Sequence, residues 1–193
     1  MKKRIKTNGF IIFFTVVLIA VFPDKFLRLQ GGRYDFLVQI LGLLIMFLGI
    51  IFRVASRGFK SEHSAAGKTL VIAGPYKIVR NPMYLGISCT ALGVILIMFQ
   101  WWVLVVFAVF FASRYLTLIF KEEKLLRNNF GKQYDDYQKN VPRLIPYAGM
   151  IITGKFLGLL SLKKSWIRKE ANSIIPLLAV TLGFILWKSF FRQ

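Results

Sequence analysis

The chain has 193 residues, 56% hydrophobic and only 18% charged, and its apolar residues gather into long runs that a core of this size has no way to bury in water. A formal charge of +19 would point to nucleic acid in a soluble protein. Placed on loops between apolar runs, it points instead to membrane topology and to anionic membrane lipids as partners, with no nucleic acid expected. One cysteine, Cys89, and one histidine, His63, exclude an intrachain disulfide and leave no expected metal site.

The expected fold is all-α, a single membrane-embedded domain over residues 1–193 with about five transmembrane helices, because ~30 Å of hydrocarbon takes about 20 helical residues. Four basic residues and no acid precede an apolar stretch at 8–22. No small-residue cleavage site follows it, so it reads as a retained first helix. After the turn-like Gln30-Gly31-Gly32 comes a second span at 36–52, which completes an N-terminal part, 1–52. The central part, 53–146, opens with a polar loop at 53–82. Spans at 83–99 and 101–120 follow with almost no connection between them, so a tight antiparallel hairpin is expected, with Trp101 and Trp102 at the lipid–water interface. Residues 121–137 read as the fourth helix continuing into water, ended by Pro142 and Pro146. In the last part, 147–193, the stretch 149–161 is apolar but short, an interfacial or re-entrant piece. A fifth span covers 174–191, with Pro176 near its start, where proline is tolerated.

Gly42, Gly49, Gly86 and Gly93 form two pairs seven residues apart, a spacing that lets transmembrane backbones approach closely. Basic residues exceed acids six to one in 53–82 and eleven to five in 121–173, against three to two in 23–35 and none at the hairpin tip. That alternation places the N-terminus and both motif-bearing loops in the cytosol. Five crossings then leave the C-terminus outside, which Lys188 and Arg192 mildly oppose.

Nearly all groups able to do chemistry lie in 61–86 and 122–146. Asn81 is placed to cap the third helix with Pro82 as its first residue, and that helix start, flanked by Arg80 and Tyr84, equally suits a polar ligand. Glu122 and Glu123 stand where the fourth helix leaves the membrane, on an otherwise basic flank. Solvated pairing with Lys121, Lys124 or Arg127 is the common arrangement for such acids. Beside a pocket they would hold the ammonium of an amino-acid-like cofactor and tolerate a sulfonium. Arg114, inside the apolar fourth span, is costly unless it pairs, snorkels or lines a cavity, and is a candidate contact for an anionic substrate group. His63 reads as a solvated loop histidine.

Gly74-Pro75-Tyr76, Arg80-Asn81-Pro82-Met83-Tyr84-Leu85-Gly86, Glu122-Glu123, Phe130-Gly131, Tyr134, Tyr137 and Val141-Pro142-Arg143-Leu144-Ile145-Pro146 occur in that order, with the hairpin between the two blocks. The set, spanning 68–146, resembles the isoprenylcysteine carboxyl methyltransferases and their phospholipid methyltransferase relatives. The resemblance implies a cytosolic pocket for S-adenosylmethionine, with S-adenosylhomocysteine as product, and methyl transfer to a lipid-borne acceptor. In the carboxyl methyltransferases that acceptor is the C-terminal carboxylate of a prenylated cysteine. By motif, Lys68, Thr69, Leu70 and Val71 match a backbone stretch contacting the cofactor, and Tyr76 a cofactor-contacting tyrosine. Arg80 through Tyr84 match the Arg-His-Pro-x-Tyr core, and Glu122 with Glu123 the cofactor-binding acid. Asn81 departs from the pattern, since relatives usually carry histidine there. Asparagine cannot take a proton at neutral pH, which tilts the expected acceptor toward a carboxylate. Leu118 stands where the family's substrate-binding arginine belongs, and Arg114, one turn further back, is offered as a stand-in. The alternative readings are a phospholipid amine N-methyltransferase, an NADPH-dependent sterol-reductase-like enzyme, and a non-enzymatic membrane protein. Only two spans precede the motifs, which disfavours the reductase.

Overall fold

The structure, a computed structural model, describes residues 21–29 and 34–190. All but the last two residues of the expected first span, and the expected turn at 30–32, lie outside the described residues. The described chain is helical: α1 (Asp35–His63), α2 (Pro82–Met98), α3 (Trp102–Phe130), α4 (Lys132–Asn140) and α5 (Lys164–Phe190), with short turns between. Among the described residues α1, α3 and α5 are long and apolar enough to cross a membrane. At 17 residues α2 spans roughly 25 Å, the short end of the crossing range.

Two helices begin or end well beyond their apolar runs. Hydropathy stops at Phe52, yet α1 continues to His63, so Arg53, Arg57, Lys60 and His63 lie on a helix and not in a loop. Phe52, Val54, Ala55, Ser56 and Gly58 stay buried along that extension, and their packing sustains the helix where lipophilicity does not. Likewise α5 starts at Lys164, ten residues before its expected span, because Trp166 and Glu170, one turn apart, are buried against α1. The Trp166 ring covers Gly58, where a Cβ would overlap it. Pro176 therefore sits inside α5 and not near its start, and removes one backbone donor there.

The expected continuous helix through 137 breaks at Gly131, whose φ of 48° is open to glycine at no steric cost. Helix α4 then folds back and buries Tyr134, Tyr137 and Val141 against Leu70, Leu126 and Phe130. The stretch 149–161 is a single helical turn at Ala148–Ile152 and a 3-10 turn at Leu157–Leu159. It packs Met150, Phe156, Leu159 and Leu160 onto Phe52, Ile78 and Val79.

The glycine pairs meet across α1 and α2. Gly42 faces Gly93 and Gly49 faces Gly86, and a Cβ on any of the four would overlap the partner backbone. This approach makes α1 the intimate partner of α2. Helix α5 closes the bundle, with Thr181 beside Met46 and both fully buried along with Ile97. Ion clusters fasten α5 to α1 at both ends. Glu170 takes Arg53 at 3.1 Å and Arg57 at 2.6 Å, while Lys188 donates to Asp35 at 2.7 Å with both side chains buried. Arg28 also pairs with Asp35, at 3.2 Å. Asp35 and Arg53 are eighteen residues apart, as are Glu170 and Lys188. Five whole turns put both clamps on one face, about 27 Å apart.

The hairpin reversal at Phe99–Trp101 is held by the segment before α1. Leu27 bridges Phe99, Gln100 N–H donates to Phe26 O at 2.9 Å, and Trp102 Nε1 donates to Lys25 O at 3.0 Å. Beyond that tip α3 stands off from the bundle and exposes Val105, Val106, Val109 and Phe110. An apolar face of that extent suits lipid and not water.

Candidate functional site

The two motif segments join at the end of the bundle where α1 finishes and α2 begins. Arg80 N–H donates to Pro142 O at 2.8 Å and Asn81 N–H to Arg143 O at 3.2 Å, so the backbones run paired. Glu123 lies between them. Its Oε1 accepts from Arg80 Nε and from Asn81 Nδ2, both at 3.0 Å, and its Oε2 accepts from Arg143 Nε at 3.0 Å. The Arg80 guanidinium also donates to the Gln138 and Val141 carbonyls at 2.8 and 3.1 Å, and Arg143 lies over the Phe120 ring at 4.5 Å. Asn81 does stand at the N-cap position of α2, but its side chain makes no cap hydrogen bond. The amide instead donates through Nδ2 to Glu123 Oε1 and to Arg143 O, a charge-assisted bond in the first case, and that orientation takes its oxygen away from the helix start. Tyr137 OH donates to Tyr76 O at 2.6 Å and completes the joint. Burial pushes the Tyr134 phenol up to about 12, so it stays protonated in this core.

Glu122, one residue away, is placed differently. It is about one-third exposed, and helix geometry turns it roughly 100° from Glu123. Its Oε1 accepts from Lys60 Nζ of α1 at 2.7 Å, and its Oε2 from Tyr84 OH of α2 at 3.3 Å. Three helices thus each contribute one group. Tyr76 is close enough that burial first, then the Glu122 charge, hold its phenol well above the ordinary value; its hydroxyl points to Ser56 O at 3.5 Å, one turn before Lys60. On the far side Tyr84 meets Tyr115 edge-on at 5.9 Å. Tyr115 belongs to a π turn, Ala112–Leu116, a local widening that recurs at functional sites.

The structure thus brings together Tyr76, Tyr84 and Glu122, and sets Arg80, Asn81 and Glu123 in the adjoining buried joint. Pro82 and Met83 form the first turn of α2, with Pro82 buried. Lys68, Thr69, Leu70 and Val71 follow a tight left-handed turn, with φ of 41° at Ala65, 56° at Ala66 and 87° at Gly67. Two alanines in that region carry backbone strain of a kind concentrated at binding sites. Thr69 Oγ1 donates to His63 O at 2.6 Å and Leu70 packs on the tyrosine cluster. His63 itself ends α1, its ring stacked on Phe59. Arg114 sits in the π turn, exposed, with no ion pair among the described residues. Lys60 was not a sequence candidate. Its signal is its place on the Arg53, Arg57, Lys60 face, legible only once 53–63 is known to be helical. A cavity of about 390 Å³ lies between α2 and α5, lined by Ile87, Ala91, Val94 and Leu177, with Arg53 and Ser173 also on its wall. Another of about 400 Å³ opens beside Glu123 and Arg143.

The family described as phospholipid methyltransferase matches residues 37–133, just over half of the chain and the whole of the α1–α3 framework up to the start of α4. The chain belongs to the phospholipid methyltransferase family. It is 31% identical to protein-S-isoprenylcysteine O-methyltransferase B of Arabidopsis thaliana, over 61% of this chain and 64% of that protein. It is 25% identical to protein-S-isoprenylcysteine O-methyltransferase of Tribolium castaneum, over 75% of this chain and 57% of that protein. The chain therefore spans less than two thirds of the length of either relative. No solved structure matches it. The family match covers Tyr76, Tyr84, Glu122 and Lys60 and stops short of Arg143.

Proposed function

We propose that this member of the phospholipid methyltransferase family is an integral membrane enzyme that transfers a methyl group from S-adenosylmethionine to a lipid-borne carboxylate, the C-terminal carboxylate of a prenylated cysteine. The observation that carries the reading is the meeting of Lys60, Tyr84 and Glu122 from three helices at the motif-bearing end of the bundle. A part-exposed carboxylate among aromatic rings suits a ligand with an ammonium and a sulfonium, the first by charge and the second by cation–π attraction. Glu122, Tyr84 and Tyr76 would hold it, with the strained 65–71 segment beside them. When bound, the cofactor supplies an electrophilic methyl on sulfur, and transfer to a carboxylate oxygen forms an ester and leaves a neutral thioether without moving a proton.

The same joint supports a carboxylate as the acceptor. Asn81 is buried with its amide donating to Glu123 and to Arg143 O, and it accepts no proton. An acceptor already anionic at neutral pH needs only alignment and exclusion of water, whereas an amine must first lose a proton. The α2–α5 cavity supplies an apolar wall for a tail arriving from the bilayer. The two ion clamps between α1 and α5, about 27 Å apart and close to the ~30 Å hydrocarbon thickness, support a crossing by those two helices; the full reading is five crossings with the N-terminus and motif loops cytosolic. Lys188 is buried in an ion cluster with Asp35 and Arg28, and a lysine held in such a contact weighs less against an external C-terminus than one on a free loop.

Thermal unfolding of the purified chain in detergent tests this. S-adenosylmethionine and S-adenosylhomocysteine at about 100 times Kd should each stabilise by about 2.7 kcal/mol, and NADPH should not. A shift with NADPH alone favours the reductase reading, and no shift with any of the three a non-enzymatic role.

A further inference from the structure

Resting on the cofactor reading above, we infer that the Lys60–Glu122 ion pair opens to receive the zwitterionic end of an α-amino acid ligand, the ammonium going to Glu122 and the carboxylate to Lys60. Lys60 is then a binding residue, specific for the carboxylate. An α-amino acid carries its two charges on one carbon, so a site that holds both needs an acid and a cation side by side. Lys60 Nζ and Glu122 Oε1 are 2.7 Å apart.

The two buried ion clusters at this end are built to stay closed. Glu123 is buried and takes Arg80, Asn81 and Arg143, and Glu170 is buried and takes Arg53 and Arg57. Glu122 has one cation on it among the described residues, and a phenol at 3.3 Å. The side chains of Lys60 and Glu122 are 44% and 31% exposed, and a pair that open to solvent is held by roughly fivefold or less in equilibrium terms. Lys60 stands in the last turn of α1 on a flexible four-carbon stem, so its ammonium can leave one oxygen for another without moving the helix. Arg57 and Arg53, one and two turns before it, are committed to Glu170, so the exchange falls to Lys60.

The test compares two ligands by calorimetry on the full chain in detergent: S-adenosylhomocysteine and its decarboxylated analogue, which keeps the ammonium and lacks the carboxylate. In the wild type the first should bind more tightly. Lys60→Met should weaken S-adenosylhomocysteine roughly three- to tenfold, the range for one charge-assisted hydrogen bond at a part-exposed site. The analogue should be unchanged or tighter, because Glu122 has lost its competitor. Lys60→Arg should keep the wild-type preference, and Lys60→Gln serves if Lys60→Met does not fold. An unchanged ratio between the two ligands in Lys60→Met, or in Lys60→Gln where that variant is used, overturns the inference while leaving the cofactor reading intact. A wild type that binds neither ligand overturns both.

Discussion

Glu123→Ala should unfold the motif joint. The substitution leaves the Arg80 guanidinium, itself 8% exposed, without its counter-charge, and takes from Arg143 its carboxylate partner and from Asn81 one of two acceptors. Removing one partner from a buried ion pair costs about 3–5 kcal/mol. For a chain of this size that lowers the melting temperature on the order of 10 °C. Proteolysis at the motif-bearing end should increase with it, since the 80–81 and 142–143 segments are paired at the same joint. Replacing Arg80 as well, by methionine, should recover part of the loss, because the uncompensated charge is gone; a double variant no more stable than Glu123→Ala would contradict the role assigned to this carboxylate. Circular dichroism melts in detergent measure both.

Glu122→Ala should have the opposite profile. The carboxylate is part-exposed and its partners, Lys60 and Tyr84, are free to turn to water, so the melting temperature should stay near the wild-type value. Affinity for S-adenosylhomocysteine should fall about 10- to 150-fold, the equivalent of the ~1.5–3 kcal/mol carried by a hydrogen bond to a charged group. Calorimetry on folded protein reads this directly, and unchanged affinity would remove Glu122 from the site. On this account two adjacent acids divide into a structural residue and a proposed binding residue, with opposite expected consequences for stability and affinity.

That division was not legible in the sequence. Glu122 and Glu123 are neighbours on one helix, both beside basic residues, and their partners come from 20 to 62 positions away along the chain. Only the turn of the helix separates them, and only the fold says what each face meets. The apolar runs were legible, because lipid-facing helices need no tertiary partner to declare themselves. So were the glycine pairs, whose seven-residue spacing survives as the contact between α1 and α2. The helix ends were not. Past Phe52 and before Ile174 the chain is polar, and what keeps it helical is Trp166 on Gly58 and Glu170 between two arginines, contacts across more than a hundred residues. Asn81 shows the same limit at a single residue. Its backbone position at the start of α2 was readable from Asn-Pro, while the direction of its side chain was decided by a carboxylate 42 residues away. Tyr134 and Tyr137, which belong to the motif set that carries the family resemblance, are packing residues of the fold-back helix α4, and the hydroxyl of Tyr137 serves the joint through Tyr76 O.

The central claim is transfer of a methyl group to a lipid-borne carboxylate, and the product's chemistry tests it most directly. The full chain in lipid nanodiscs, given S-adenosylmethionine labelled in its methyl group, a farnesylated cysteine derivative and phosphatidylethanolamine together, should place label on the farnesylated acceptor as a base-labile methyl ester. Label that survives base on the lipid amine, or no transfer at all, would contradict the account.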